Sequence, residues 1–394
     1  MAKSNNRSIA SRRALMCSFG VATALVGCEV SSETDTDTDT DIDPSIGIVS
    51  IGPDDGSSDD GSSSDGGSSD DGSSSTGEDV LGCGDAEFSV AAVAPRAVLV
   101  LDKSHSMVAS TWDHDGDPAT AVTTRWSSLH ETVADLVSDV DGTMELGAVL
   151  FPSRALTDND AATACEVPDA LDVAIASDNG DAILDAMPSA DSLEIWGGTP
   201  TAAGIATAAA ALRALEGDAP RAIILVTDGA ANCSADAPAA ETFTRYDEDL
   251  APLVASLAAD GIPTYVVGID IVDGWVSVPE ANPHDRLGEV ALAGGVANPG
   301  ATPFFDARDE GQLFDALGAI TSRIQCTLTL EGLPSAPERV HLSIGDAALA
   351  YTPDCDADGW RYADDGAIEL CMAACDDFVA AGTVHAAYDC IPEG

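Results

Sequence analysis

From Arg96 onward, continuous apolar runs alternate with segments whose apolar residues recur at helical spacing. This pattern predicts an α/β fold, in which uninterrupted apolar runs are strands covered on both faces and the intervening helices supply the cover. Residues 97–101, 144–151, 222–227 and 263–269 are such runs, the second closed by Pro152. Leu171, Val173 and Ile175 alternate as a half-exposed strand, and 303–306 forms a short sixth. Between them, 124–140 places Trp126, Leu129, Val133, Leu136, Val137 and Val140 on one helical face. Further helices are expected near 180–187, in the Ala-rich stretch 201–215, at 249–259 and 286–293, and at 309–324, where Asp309 is placed to cap. The expected fold class is α/β, with a doubly wound, mostly parallel six-stranded sheet flanked by helices. Beyond Cys326 the texture turns to short β segments at 327–330, 340–344, 368–370 and 384–388, with one helical piece at 376–381.

The chain ahead of the sheet lacks this periodicity. Lys3, Arg7, Arg12 and Arg13 precede an apolar run at 14–27 that ends in Leu25-Val26-Gly27-Cys28, an export signal too short for a membrane span of ~20 residues. Leu-Val-Gly-Cys resembles the lipobox of bacterial lipoproteins, which implies lipidation of Cys28; an ordinary signal peptide with a chance cysteine is the other reading. Ser11-Arg12-Arg13 also resembles a twin-arginine signal. The following tract is mostly Asp, Ser, Thr and Gly, with too little apolar area to offset the entropy of ordering it. The resulting organisation is a signal peptide over 1–27, a disordered acidic tether over 28–82, an α/β domain over 83–325 and a small Cys-rich, mostly β module over 326–394.

Charge narrows the partners. The formal net charge is −52, and without residues 1–27 the chain keeps 12 basic against 68 acidic residues, a net of −56. Such a surface repels nucleic acid and anionic headgroups and attracts divalent cations. No nucleic-acid partner is expected, and membrane contact is expected only through the N-terminal lipid. Eight cysteines follow Cys28, and an even number in an exported chain favours disulfides. Zinc bound by Cys355, Cys371, Cys375 and Cys390 is the competing reading, but only Cys371-x-x-x-Cys375 approaches ligand spacing.

Three strand or helix ends carry oxygen donors. Asp102-x-Ser104-x-Ser106 follows the first apolar run, Gly197-Gly198-Thr199-Pro200-Thr201 precedes the Ala-rich helix, and Thr227-Asp228-Gly229 follows the strand at 222–227. The Asp-x-Ser-x-Ser spacing recurs at Asp60/Ser62/Ser64 and Asp71/Ser73/Ser75, but there no strand precedes it. In an open parallel sheet, ligands bind outside the carboxyl ends of the strands. Together the three motifs, over about 95–325, resemble the von Willebrand factor type A domain and its metal-ion-dependent adhesion site. The resemblance implies that Ser104, Ser106 and Thr199 supply oxygens to Mg²⁺, or to Mn²⁺ or Ca²⁺, with Asp102 and Asp228 acting directly or through water. It also implies an open coordination position for a carboxylate of a protein or matrix ligand. Hard oxygen donors suit these ions rather than zinc or copper. The competing reading has Ser104, Ser106 and Thr199 as caps and Asp228 as a turn residue.

Alternation past the strand places Lys103 and His105 toward solvent. Within the family frame, a Cys83–Cys326 bridge is expected to restrain the terminal helix, with Cys165–Cys233 joining loops on the ligand side. Pairing among the remaining cysteines stays open. Asp113, Asp115 and Asp117, and more closely Asp354, Asp356 and Asp358, resemble the start of a calcium loop, but Pro118 replaces its glycine and the second lies between β segments; a solvated acidic loop is the favoured reading of the first and a turn of the second. His130-Glu131 lacks a second histidine, since Ala134 stands in its place. No Gly-x-Ser-x-Gly elbow or phosphate-binding loop occurs, so no enzyme is expected. The sequence points to an exported lipoprotein, held at the outer membrane or surface of a bacterial envelope, that binds a partner through a metal. The alternative is a structural or assembly subunit in which the metal only stabilises.

Overall fold

The computed structural model describes residues 86–153, 160, 163–328, 336–363 and 366–388, which fall within one compact unit. The signal and tether, with Cys28 and Cys83, and also Cys390, lie outside the described residues. In chain order the elements begin with β1 (Ala86–Ala91), β2 (Arg96–Asp102), the short helix α1 (Ser106–Ala109) and the two-residue strands β3 (Thr111–Trp112) and β4 (Thr123–Thr124). They continue with α2 (Arg125–Val140), β5 (Glu145–Phe151), β6 (Val173–Ala176), α3 (Gly180–Ala186), α4 (Thr201–Arg213), β7 (Arg221–Thr227), α5 (Leu250–Ala259) and β8 (Thr264–Ile269). A small hairpin, β9 (Val276–Ser277) and β10 (Glu280–Ala281), leads to α6 (Pro283–Ala293), β11 (Phe305–Ala307) and α7 (Glu310–Cys326).

Six of these strands form one sheet in the order β11-β8-β7-β2-β5-β6. Every neighbouring pair is parallel except β5–β6, where the short edge strand runs antiparallel. The chain builds outward from β2 to β6 on one side, then returns to lay β7 against the other side of β2. Strand order therefore reverses between β2 and β7, the position where open α/β sheets place ligands.

Both faces of the sheet are covered, and this is why its central strands are apolar at every position. Val98 to Leu101 are fully buried: Leu99 and Leu101 enter the core with α2, α3 and α7, while Val98 and Val100 enter the core with α4, α5 and α6. The predicted face of α2 is the buried one, and its N-terminus is capped by Thr124 Oγ1 accepting from Ser127 N at 3.1 Å. The small residues of α4 let it lie close to the sheet. A β-carbon at Gly204 would stand 3.2 Å from both Val100 and Phe151. Among the described residues no helix is long and apolar enough to cross a membrane.

After α7 come β12 (Thr327–Leu328), β13 (Val340–Ile344), β14 (Ala347–Leu349), β15 (Gly359–Tyr362), β16 (Ile368–Cys371), α8 (Ala373–Ala381) and β17 (Thr383–Tyr388). They form a three-stranded sheet, β12-β16-β15, and a four-stranded antiparallel sheet, β1-β17-β13-β14. Trp360, Ile368, Leu370, Phe378 and Val384 fill a core of their own. One strand of this C-terminal layer comes from ahead of the main sheet: β1 pairs with β17 from Ala86↔Tyr388 to Ala91↔Thr383.

Three disulfides join described cysteines. Cys165 pairs with Cys233, Cys355 with Cys371, and Cys326 with Cys375. The last corrects the expected Cys83–Cys326 bridge. The final turns of α7 pack on α8, so the Cα atoms of Cys326 and Cys375 stand 5.5 Å apart, within disulfide reach. Ser322, one turn earlier, adds an Oγ–Sγ contact to Cys375 at 3.4 Å.

Candidate metal centre

The register of the central strands sets Leu101 beside Val226, so Asp102 and Thr227 emerge side by side at the carboxyl rim. Asp102 is fully buried and both its oxygens are held: Oδ1 accepts from Ser104 N at 2.7 Å and Oδ2 from Thr227 Oγ1 at 2.6 Å. Ser106 Oγ donates to Asp228 Oδ1 at 2.7 Å and lies 2.8 Å from Ser104 Oγ. Since the Ser106 proton goes to the carboxylate, Ser104 donates to Ser106, and a relay of two hydroxyls runs from the β2 loop to the β7 loop. Asp102, Ser104 and Asp228 are buried while Ser106 is exposed, so the cluster opens outward at Ser106.

Thr199 is placed by a third loop tied to the other two. His105 N donates to Gly197 O at 3.2 Å, Thr199 N donates to Asn232 Oδ1 at 2.7 Å, and Asn232 N returns a bond to Thr199 O at 3.0 Å. Only glycine fits beside Thr199: a β-carbon on Gly198 would meet Cys233 Sγ at 2.7 Å and Asn232 Oδ1 at 2.8 Å. The Cys165–Cys233 bridge and the bond from Gly198 N to Ala164 O, 2.9 Å, pin this loop against the one that follows β7.

Two site residues escape the sequence motifs. Arg125, the first residue of α2, donates from Nη1 to Asp228 Oδ2 at 3.1 Å and from Nη2 to Asp270 Oδ2 at 2.6 Å. The side chain of Arg125 is 11% exposed and that of Asp228 is fully buried. Asp270 directly follows β8, and Arg308 Nη1 approaches its other oxygen at 4.0 Å. Three neighbouring strands of the sheet thus run into acids, Asp102, Asp228 and Asp270. Asp270 was legible as a strand-end acid, whereas nothing in the start of α2 marks Arg125.

Burial, and then the facing Asp228, push the Asp102 carboxyl up from 3.8 to about 7. Burial also raises Asp228, against which Arg125 pulls down. Two buried carboxylates that repel one another call for positive charge between them. Lys103 corrects its expected position: it is 1% exposed, and burial lowers its ammonium to about 8 against the opposing pull of Asp102 and Asp172. The strand alternation ends with β2, because the chain turns back through the Ser104 N to Asp102 bond. His105 is half-buried, its ring stacked on Trp196 at 5.0 Å and its Nδ1 3.0 Å from Ile195 O.

The calcium-like loops are organised as turns. Asp115 Oδ1 accepts from Asp117 N and Thr120 Oγ1, and these bonds hold its carboxyl below the usual range. In the second loop Cys355 is bridged to Cys371, and Asp358 Oδ1 accepts from Ala373 N at the start of α8. Among the described residues neither Asp113, Asp115 and Asp117 nor Asp354, Asp356 and Asp358 gather into a three-ligand group. Asp273, His284 and Asp285 do, with ligand atoms within 4.8 Å of one another.

The residues at the rim fit a small hard cation. They offer hydroxyl and carboxylate oxygens without a thiolate or imidazole among them, the donor set of Mg²⁺, Mn²⁺ or Ca²⁺. No protein-family model and no curated protein sequence matches the chain. Among solved structures it is similar to the conserved hypothetical protein BatB from Bacteroides thetaiotaomicron, at 18% identity and a TM-score of 0.38 over 58% of this chain and 97% of that one. It is also similar to the pilus adhesin SpaC from Lactobacillus rhamnosus GG, at 13% identity and a TM-score of 0.42 over 75% of this chain and 39% of SpaC. The PilB minor pilin from Streptococcus sanguinis aligns at 18% identity and a TM-score of 0.37, over 58% of this chain and 61% of the pilin. All three TM-scores are below 0.5, so the functional reading rests on the site's own residues.

Proposed function

We propose that this protein is a divalent-metal-dependent binding protein with a doubly wound von Willebrand factor type A fold. The reading has Ser104, Ser106 and Thr199 supplying oxygens to Mg²⁺, or to Mn²⁺ or Ca²⁺, and Asp102 and Asp228 holding it directly or through water. A carboxylate of a protein or matrix partner completes the coordination, and no catalysis is involved. The observation that carries it is the relay from Ser104 through Ser106 to Asp228, which brings two motifs 122 residues apart to one point on the carboxyl rim. Capping does not need that convergence. When bound, the ion would supply positive charge and an open position; the chain supplies hydrogen-bonded oxygens and a buried floor at Asp102.

The export signal and Cys28 complete the proposal: a lipid-anchored protein of the bacterial envelope that holds this domain out on its acidic tether. The test is a pull-down from envelope extract with fragment 81–394, with and without Mg²⁺, set beside Asp102→Ala combined with Thr199→Ala. Metal-dependent capture lost in the double variant, with thermal unfolding in EDTA nearly unchanged, supports the reading. Capture that survives both EDTA and the double variant overturns it. A variant that only melts lower, with metal protecting the wild type and capturing nothing, makes the metal a structural stabiliser of an assembly subunit.

A further inference from the structure

Arg125 is a fixed cation paired directly with one of the acids of the site, and its geometry gives it a role. Its guanidinium shares two carboxylates: Asp228, whose side chain is fully buried, and Asp270, 36% exposed and also approached by Arg308. Water screens a charge on Asp270 far more than one on Asp228, so the force of Arg125 falls mainly on Asp228.

The balance of charge follows. A divalent ion held by Asp102 and Asp228, directly or through water, would be largely cancelled by those two carboxylates, which would leave little net attraction for an acidic partner. Arg125 removes part of the Asp228 charge from that balance. The loaded site then carries surplus positive charge, which an incoming carboxylate satisfies. The same guanidinium opposes the ion before it binds.

Resting on the metal-dependent reading above, we infer that Arg125 is a specificity-determining residue that weakens metal binding and strengthens carboxylate binding at the same centre. A purely structural role for Arg125 moves both affinities in the same direction. This one moves them in opposite directions.

The experiment uses the full chain and two probes, Mn²⁺ alone by calorimetry and acetate added to the Mn²⁺-loaded protein. Acetate is followed by the relaxation of water protons as it displaces water from the ion. Arg125→Gln is expected to bind Mn²⁺ about tenfold tighter and to need several-fold more acetate for the same displacement. Asp270→Asn, at a half-exposed position, leaves Arg125 to Asp228 alone and is expected to shift both affinities the other way; it decides the matter if Arg125→Gln does not fold. The inference is overturned if a folded Arg125→Gln binds Mn²⁺ no tighter than wild type, if acetate acts equally on both, or if Asp270→Asn tightens Mn²⁺. Wild-type protein that fails to bind Mn²⁺ at all sinks the metal-dependent reading first and this inference with it.

Discussion

Ser106 Oγ lies 2.7 Å from Asp228 Oδ1, joining the loop after β2 to the loop after its neighbour β7 across the point where strand order reverses. The bond brings both side chains to one spot on the rim. Asp228→Asn keeps the shape and removes the charge. It is expected to weaken Mg²⁺ binding by about 100-fold or more, measured by calorimetry. Ser106→Ala, at an exposed position, is expected to weaken Mg²⁺ by about tenfold with little change in melting temperature.

The raised Asp102 carboxyl fixes a pH dependence. Its folded value, about 7, stands above its ordinary 3.8, so between these limits the folded state holds more protons than the unfolded one. The stability of the metal-free protein therefore falls as pH rises from about 4 to about 7. Thermal melts in EDTA across that range are expected to show the decline, and Asp102→Asn to flatten it. A melting temperature that rises through this window in wild type would show that Asp102 is not the dominant buried acid.

Gly198 is a steric probe of Thr199. A methyl group there meets Cys233 Sγ and Asn232 Oδ1 at under 3 Å, and Asn232 is the partner of Thr199 N. Gly198→Ala is expected to displace that bond, to cost roughly 1–3 kcal/mol by overpacking and to weaken Mg²⁺ binding. Urea unfolding in EDTA separates the two effects.

Cys326–Cys375 closes a segment with a sequence separation of 49 between the last turn of α7 and α8. In the chain-entropy picture this is worth about 4 kcal/mol. Cys375→Ser is expected to lower the melting temperature and leave Mn²⁺ affinity unchanged, since α8 lies in the C-terminal layer and not at the rim. Peptide mapping without reductant should recover the Cys326–Cys375 pair.

The sheet was legible in the sequence because full burial makes a strand apolar at every position, as Val98 to Leu101 show. The candidate centre was legible where an acid ends such a run. Arg125 was not, because its contact with Asp228 spans 103 residues and depends on where α2 begins in space. Lys103 was misplaced for a related reason: alternation describes a strand and fails at the first residue beyond it. Cys326 was misassigned because its position in the chain says nothing of what packs on the end of α7. β1 also escaped notice, since its partner β17 lies almost three hundred residues away.

That pairing has a mechanical consequence. Within the described residues, a pull applied at Ala86 travels through β1, the connection at 92–95 and β2, so residues 86–102 lie between the point of pull and Asp102. Six antiparallel residue pairs hold β1 to β17, and traction along β1 must shear them together before it stretches the connection to β2. The pairs between β1 and β17 thus take up a pull at Ala86 before it reaches the strand that ends in Asp102.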